Sequence, residues 1–221
     1  MKKEFQKRIL STLIIIPIAL FFLIQGSVFF SFFLFLLFLA TSYEWLKMNK
    51  KKNLIKVLGV VFLIFSFYSA HELRNYAGLN SCLLILLICI FTDIGGYTFG
   101  KIFKGPKLTK ISPNKTYSGV IGSFISSLMV GLIYKIYMPL PTGIILNMKL
   151  SELSNNFELS FLIFILSICL ISQIGDLIIS YFKRISKIKD TGKIIPGHGG
   201  LLDRIDGLIF VFPLTYLFLI L

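Results

Sequence analysis

Five aspartates, Asp93, Asp176, Asp190, Asp203 and Asp206, stand in a chain of 221 residues that is 56% hydrophobic. Asp93 and Asp176 interrupt apolar runs, where an ionised carboxylate is costly unless paired, so each is a candidate for function. Asp176, Ser180 and Lys183 are spaced i, i+4 and i+7, which places them on one helical face with the carboxylate below the ammonium. A basic segment follows, with Arg184, Lys187, Lys189, Asp190 and Lys193 interleaved with Ile185, Ile188, Ile194 and Ile195. That alternation suits a membrane interface, with apolar side chains dipping in and ammonium groups meeting lipid headgroups. Pro196, Gly197, His198, Gly199 and Gly200 then lead into Leu201, Leu202, Asp203, Arg204, Ile205 and Asp206. Glycines let a backbone approach phosphate closely, and the helix start behind them favours negative charge. Asp203 and Asp206, at i and i+3, are expected on one side of that helix. Carboxylates beside a phosphate-binding turn repel a polyanion unless a divalent cation bridges them, which is how magnesium is held on nucleotides. Metal and phosphate together are therefore the expected chemistry.

A second, weaker pattern occupies 92 to 119. Asp93 precedes Gly95 and Gly96, and Lys101, Lys104, Lys107 and Lys110 lead to Ser112, Pro113, Asn114, Lys115 and Thr116. This connection can form another wall of the same site, supplying ammonium and hydroxyl groups to a triphosphate. Each piece has a plainer reading by itself. Gly199 and Gly200 alone make a turn, His198 alone a hydrogen-bonded turn residue, and Lys101 to Lys110 alone a solvated loop attracted to lipid. Asp203 and Asp206 can pair with Arg204, Arg184 or Lys183, and His71 reads as a surface histidine on the opposite face. The joint spacing is what favours function.

The elements that must position these groups are membrane helices. Mean hydropathy is +0.85, and almost the whole chain falls into apolar stretches long enough to cross a bilayer. Seven spans are predicted, at 9–26, 28–46, 54–71, 79–99, 118–138, 159–181 and 205–221, the last containing Pro213. Residues 9 to 43 are one uncharged run, split into a hairpin at Gln25, Gly26 and Ser27. The amino terminus resembles a signal peptide, but no small-residue cleavage site follows, so an uncleaved first helix is expected. Phe29 to Phe38 belong to an aromatic-rich stretch expected to face lipid or pack. Cys82, Cys89 and Cys169 lie in apolar runs without CxxC spacing and read as packing residues. The expected fold is an all-α integral membrane bundle of about seven transmembrane helices, one domain over 1–221, with cytoplasmic active-site loops.

Net charge is +13, which in a soluble protein would suggest nucleic acid, yet here the charges occupy short connections. Four Lys and Arg fall in the first eight residues, five at 47–56, five at 101–115 and six at 183–204. Arg74, Lys135 and Lys149 fall in or beside the alternate connections. The asymmetry places the amino terminus and all five aspartates on the cytoplasmic side, and no nucleic-acid partner is expected.

Residues 180 to 206 carry a further signal. Ser180, Lys183, Arg184, Lys189, Asp190, Gly192, Pro196, Gly197, His198, Gly199, Gly200, Asp203, Arg204 and Asp206, at these spacings, resemble the signature of phosphatidate cytidylyltransferases. Gly175 and Asp176, the Asp93 to Gly100 segment, the Ser112 to Thr116 run, and Tyr43, Glu44 and Trp45 support it. The signature segment spans 175–207. The chain departs from the family where Tyr117, Ser118 and Gly119 stand in place of a common Trp-Glu-Gly, and it has fewer amino-terminal helices.

The resemblance implies a bacterial inner-membrane enzyme that makes CDP-diacylglycerol and pyrophosphate from CTP and phosphatidate. It implies a magnesium-containing centre at Asp176 and Asp203 with Asp206 close by, a monovalent cation such as potassium being a further candidate. Lys183, Arg184, Lys189, His198 and Arg204 are implied as phosphate-binding or site-organising groups. Ser180, Gly199, Gly200, Asp93, Lys115 and Thr116 complete the candidate site, and membrane lipids and a second copy of the chain are the remaining candidate partners. A CTP-dependent polyprenol kinase, a CDP-alcohol phosphatidyltransferase and an ion-coupled transporter are the alternatives. The transporter reading leaves 183 to 207 unexplained, and the arrangement of aspartates expected of the phosphatidyltransferase is not found.

Overall fold

A computed structural model describes residues 2–49, 53–109, 111–113, 115–138, 157–197 and 199–220. The described residues form helices α1 (Lys2–Gln25), α2 (Ser27–Met48), α3 (Asn53–Tyr76), α4 (Gly78–Phe103), α5 (Tyr117–Tyr137), α6 (Phe157–Ile185), α7 (Leu202–Ile205) and α8 (Leu208–Ile220). Helices α2 to α6 are each long and apolar enough to span a bilayer, and Leu13–Gln25 and Leu208–Phe218 are shorter apolar stretches. All seven expected spans thus coincide with helices of an all-α membrane bundle.

Local chemistry explains the breaks. Gly26 and Ser27 both take positive φ, 63° and 46°, turning the chain between α1 and α2. Arg74 on α3 donates to the carbonyls of Leu23 (2.9 Å) and Ile24 (3.3 Å), which have no partner at the end of α1. Thr116 caps α5 by accepting from Gly119 N at 3.1 Å. The expected last span, 205–221, is shortened: α7 is a single turn ending at Ile205, and α8 starts at Leu208.

Two apolar cores hold the bundle. The larger joins Leu73, Leu84, Ile88, Phe161, Phe164 and Ile165, and the smaller joins Trp45, Met48, Leu63, Ile179, Leu202 and Ile209. Leu202 is fully buried, so the smaller core anchors the one-turn helix α7. Helices α4 and α5 approach most closely, through glycines. A Cβ on Gly122 would lie 2.8 Å from the carbonyl oxygen of Gly95, and one on Gly95 would lie 2.5 Å from that of Gly122. On α2, Phe29, Phe32 and Phe35 are exposed while Phe30 and Leu34 are buried, a division expected of a helix between lipid and protein. Cys82, Cys89 and Cys169 are buried and free.

The bundle has two chemically different ends. At one, Arg74 meets α1, Tyr134 donates to Asn80 O at 2.9 Å, and Lys135 pairs with Glu158. His71 sits there between Ser31 Oγ (3.2 Å) and Asn75 Nδ2 (2.8 Å). At the other end, the connections that carry most of the basic residues converge with the aspartates.

Candidate active site

Helix α6 supplies the first group. Asp176, Ser180 and Lys183 share a face as their spacing requires, and Ser180 Oγ donates to Asp176 Oδ1 at 3.3 Å. The other oxygen of Asp176 pairs with Lys115 Nζ at 2.6 Å, and Lys115 also reaches Gln173 O at 3.5 Å. Lys115 thereby ties the α4–α5 connection to α6. Arg184 Nε donates to Ile111 O at 3.2 Å and fastens the same two segments about two turns further along α6.

Asp206, in the turn after α7, shares a side-chain hydrogen bond with Asp176 and accepts from Gly207 N at 3.0 Å. The exclusion of solvent from Asp206, and then the negative charges of Asp176 and Asp93, push its carboxyl well above the ordinary value. Three carboxylates gathered in so little solvent favour positive charge at this place. Asp93, on α4, adds its negative charge to the field at this group.

Asp203 is differently engaged. One oxygen accepts from Lys183 Nζ at 2.8 Å, and the other from Thr191 N at 2.8 Å, Thr191 Oγ1 at 3.1 Å and Gly200 N at 3.1 Å. The Lys183 and Asp203 side chains retain only 12% and 7% of their exposure, so water screens the pair little. The two aspartates expected on one side of a helix are thus turned to different partners, because α7 ends before Asp206. Lys183 serves both groups, binding Asp203 and lowering the repulsion felt by Asp206.

The turn before α7 differs from the expected phosphate cradle. Its amides are already donated within the chain, Gly200 N to Asp203 and the amides of Leu201 (3.0 Å) and Leu202 (2.8 Å) to Glu44. Gly199 has φ +91°, a conformation that favours glycine, and its oxygen accepts from Ile195 N at 3.0 Å. Thr116 is occupied with its cap and with Ser118 Oγ at 3.0 Å. Lys189 and Arg204 are exposed. His198, Lys110, Asn114 and Lys149 lie outside the described residues.

Beside these groups opens a cavity of about 1360 Å³, lined by Lys47, Lys187, Lys189, Asp190 and Lys193 with Pro196, Gly197 and Gly199. None of the clustered aspartates lines it, so it adjoins the carboxylates rather than containing them. A second, apolar cavity of about 210 Å³ lies among Trp45, Gly59, Phe62, Phe182, Leu202 and Phe210. Glu44 is the residue whose place the sequence left unassigned. It is buried at the end of α2, and its only signal was its position beside Tyr43 and Trp45.

The apolar bundle thus gathers carboxylates and cations from several elements at one end. The model of the cytidylyltransferase family matches residues 53–221, and the chain belongs to that family. Among its relatives is a phosphatidate cytidylyltransferase of Rickettsia bellii, 32% identical over 221 residues, covering 97% of this chain and 90% of that protein. The phosphatidate cytidylyltransferases of Staphylococcus saprophyticus and Staphylococcus aureus are 34% and 38% identical over 187 and 189 residues, each match covering 83% of this chain. The chain spans 66% of the length of these staphylococcal relatives.

Proposed function

We propose that this chain is a phosphatidate cytidylyltransferase, transferring CMP from CTP to phosphatidate to give CDP-diacylglycerol and pyrophosphate. The observation that carries this is the meeting of Asp176, Lys183, Asp203 and Asp206, from α6, α7 and the turn after α7, at the basic end of a hydrophobic bundle. The relatives named above bear that activity in their names.

A phosphate oxygen of phosphatidate forms the new bond to the α-phosphorus of CTP, and the bond from that phosphorus to the β-phosphate oxygen breaks, releasing pyrophosphate. The nucleophile is already an anion, so no strong general base is needed. The protein has to bring two polyanions into line and offset their repulsion. Lys115 and Lys183, fixed by Asp176 and Asp203, are placed for that work. The lysine-lined cavity suits phosphate groups, and the apolar cavity among Trp45, Phe182 and Leu202 suits an acyl chain entering from lipid.

Among the described residues no three carboxylate, imidazole or thiol groups converge tightly enough to hold an ion alone. Magnesium is commonly held by one or two carboxylates together with substrate phosphates, and the hydrogen-bonded pair Asp176 and Asp206 fits that donor set. Asp203 joins it if Lys183 turns to phosphate. Magnesium, when bound, supplies charge neutralisation on the phosphates. The basic end, with the amino terminus, faces the cytoplasm, where CTP is available, and phosphatidate arrives from the inner leaflet of the cell membrane.

The test is the fate of labelled CTP with purified chain, phosphatidate and magnesium in detergent. Label from the α-phosphate enters lipid and label from the γ-phosphate leaves as pyrophosphate. Entry of γ-label into lipid instead identifies a kinase, and no lipid labelling from either position rejects the proposed substrates.

A further inference from the structure

Glu44 closes α2 with a carboxylate that is 1% exposed. Such a group is tolerated without a cation only when its oxygens are satisfied by donors. Glu44 has three: Thr191 Oγ1 at 3.0 Å, Leu201 N at 3.0 Å and Leu202 N at 2.8 Å. All three belong to the segment that runs from the connection after α6 to the first residue of α7, between 147 and 158 residues further along the chain. The glycines of that segment leave room for the carboxylate. A Cβ on Gly200 would stand 2.7 Å from Glu44 Oε2, and one on Gly192 would collide with Glu44 Oε1.

The contact extends to the aspartate described above. Thr191 Oγ1 carries one proton and lies 3.0 Å from Glu44 and 3.1 Å from Asp203. Asp203 in turn holds Lys183. A single path of short contacts therefore runs from the end of α2 to a cation and a carboxylate of the site. Glu44 precedes residues 53–221, the part matched by the family model, so that match assigns it nothing.

We propose that Glu44 is a positioning residue for cytidylyl transfer, fixing the 191–202 segment on the end of α2 and, through Thr191, setting where Asp203 and Lys183 stand. The proposal rests on the activity proposed above. Glutamine at this position keeps the volume but replaces one acceptor with a donor, so an N–H or hydroxyl of the segment loses its partner.

The experiment compares the parent with Glu44→Gln, Thr191→Val and Thr191→Ser and with Glu44→Gln combined with Thr191→Val. Turnover is measured per folded molecule, with KM for CTP and phosphatidate, and hydrogen exchange is followed at Leu201 and Leu202. Glu44→Gln is expected to lower kcat by about tenfold or more with smaller changes in KM, and to speed exchange at both amides. Thr191→Val is expected to lower kcat, Thr191→Ser to restore it, and the double variant to lose less than the product of the single losses. Turnover of Glu44→Gln within about twofold of the parent overturns the proposal. Should Glu44→Gln fail to fold, parent-like kcat in Thr191→Val overturns it instead. A parent inactive on CTP and phosphatidate rejects the assigned reaction, and with it the role of Glu44 in that reaction; an active parent with an active Glu44→Gln rejects the role of Glu44 alone.

Discussion

Asp203 and Asp206 are three residues apart and do different work. Asp203 has all its hydrogen-bonding directed inward, to Lys183, Thr191 and Gly200. Asp203→Asn puts an amide donor against at least one of those donors, so stability falls by roughly 1–3 kcal/mol and activity by about a hundredfold. Thermal unfolding in detergent and turnover per folded molecule measure the two effects separately, and parent-like turnover rejects the site assignment. Burial and the negative charges of Asp176 and Asp93 raise the carboxyl of Asp206 above the ordinary carboxylate value. Its raised pKa means that metal binding must displace a proton, so apparent magnesium affinity should strengthen as pH rises from mildly acidic to mildly alkaline. Metal-dependent stabilisation measured across that range checks the sign, and a pH-independent midpoint contradicts it. The side-chain alignment of Asp176, Ser180 and Lys183 was legible because helical periodicity alone determines it. Glu44 was not, since two of its three donors are backbone amides that any residue except proline supplies.

At the scale of elements, the close approach of α4 and α5 positions Asp93 and the connection bearing Lys115. Gly122→Ala sets a methyl group 2.8 Å from the carbonyl oxygen of Gly95, and overpacking of this kind costs about 1–3 kcal/mol. The expected result is a lower melting temperature, with Gly78→Ala, whose Cβ meets nothing within 4 Å, excluded as a control because its φ of +79° makes alanine strained. A parent-like melting temperature for Gly122→Ala contradicts the tight packing. The helices themselves were readable from apolar length, and the α1–α2 hairpin from Gln25, Gly26 and Ser27. The split between α7 and α8 was not, because the i, i+3 spacing of Asp203 and Asp206 reads as one continuing helix, whereas α7 ends at Ile205 and α8 begins at Leu208. Leu202 is drawn into the core with Trp45 and Ile179 while Glu44 takes the amides of Leu201 and Leu202, and that docking fixes where the turn begins.

For the whole molecule, charge asymmetry gave the two ends before any contact was known, and the contacts of Lys115, Arg184 and Glu44 gather at the basic end. Single-cysteine labelling tests which way that end faces. The native cysteines are buried and give little background. Lys107→Cys is expected to react only from the cytoplasmic side, and Tyr76→Cys, exposed at the other end, only from outside; the reverse pattern inverts the topology.

The central claim is that carboxylates from α6 and the α7–α8 turn act together on the phosphates of CTP and phosphatidate. The most direct measurement is magnesium-dependent formation of CDP-lipid by the purified parent beside Asp176→Asn. The account predicts metal-dependent product in the parent and a loss of roughly a hundredfold or more in the variant. Undiminished, equally metal-dependent turnover by Asp176→Asn would contradict it.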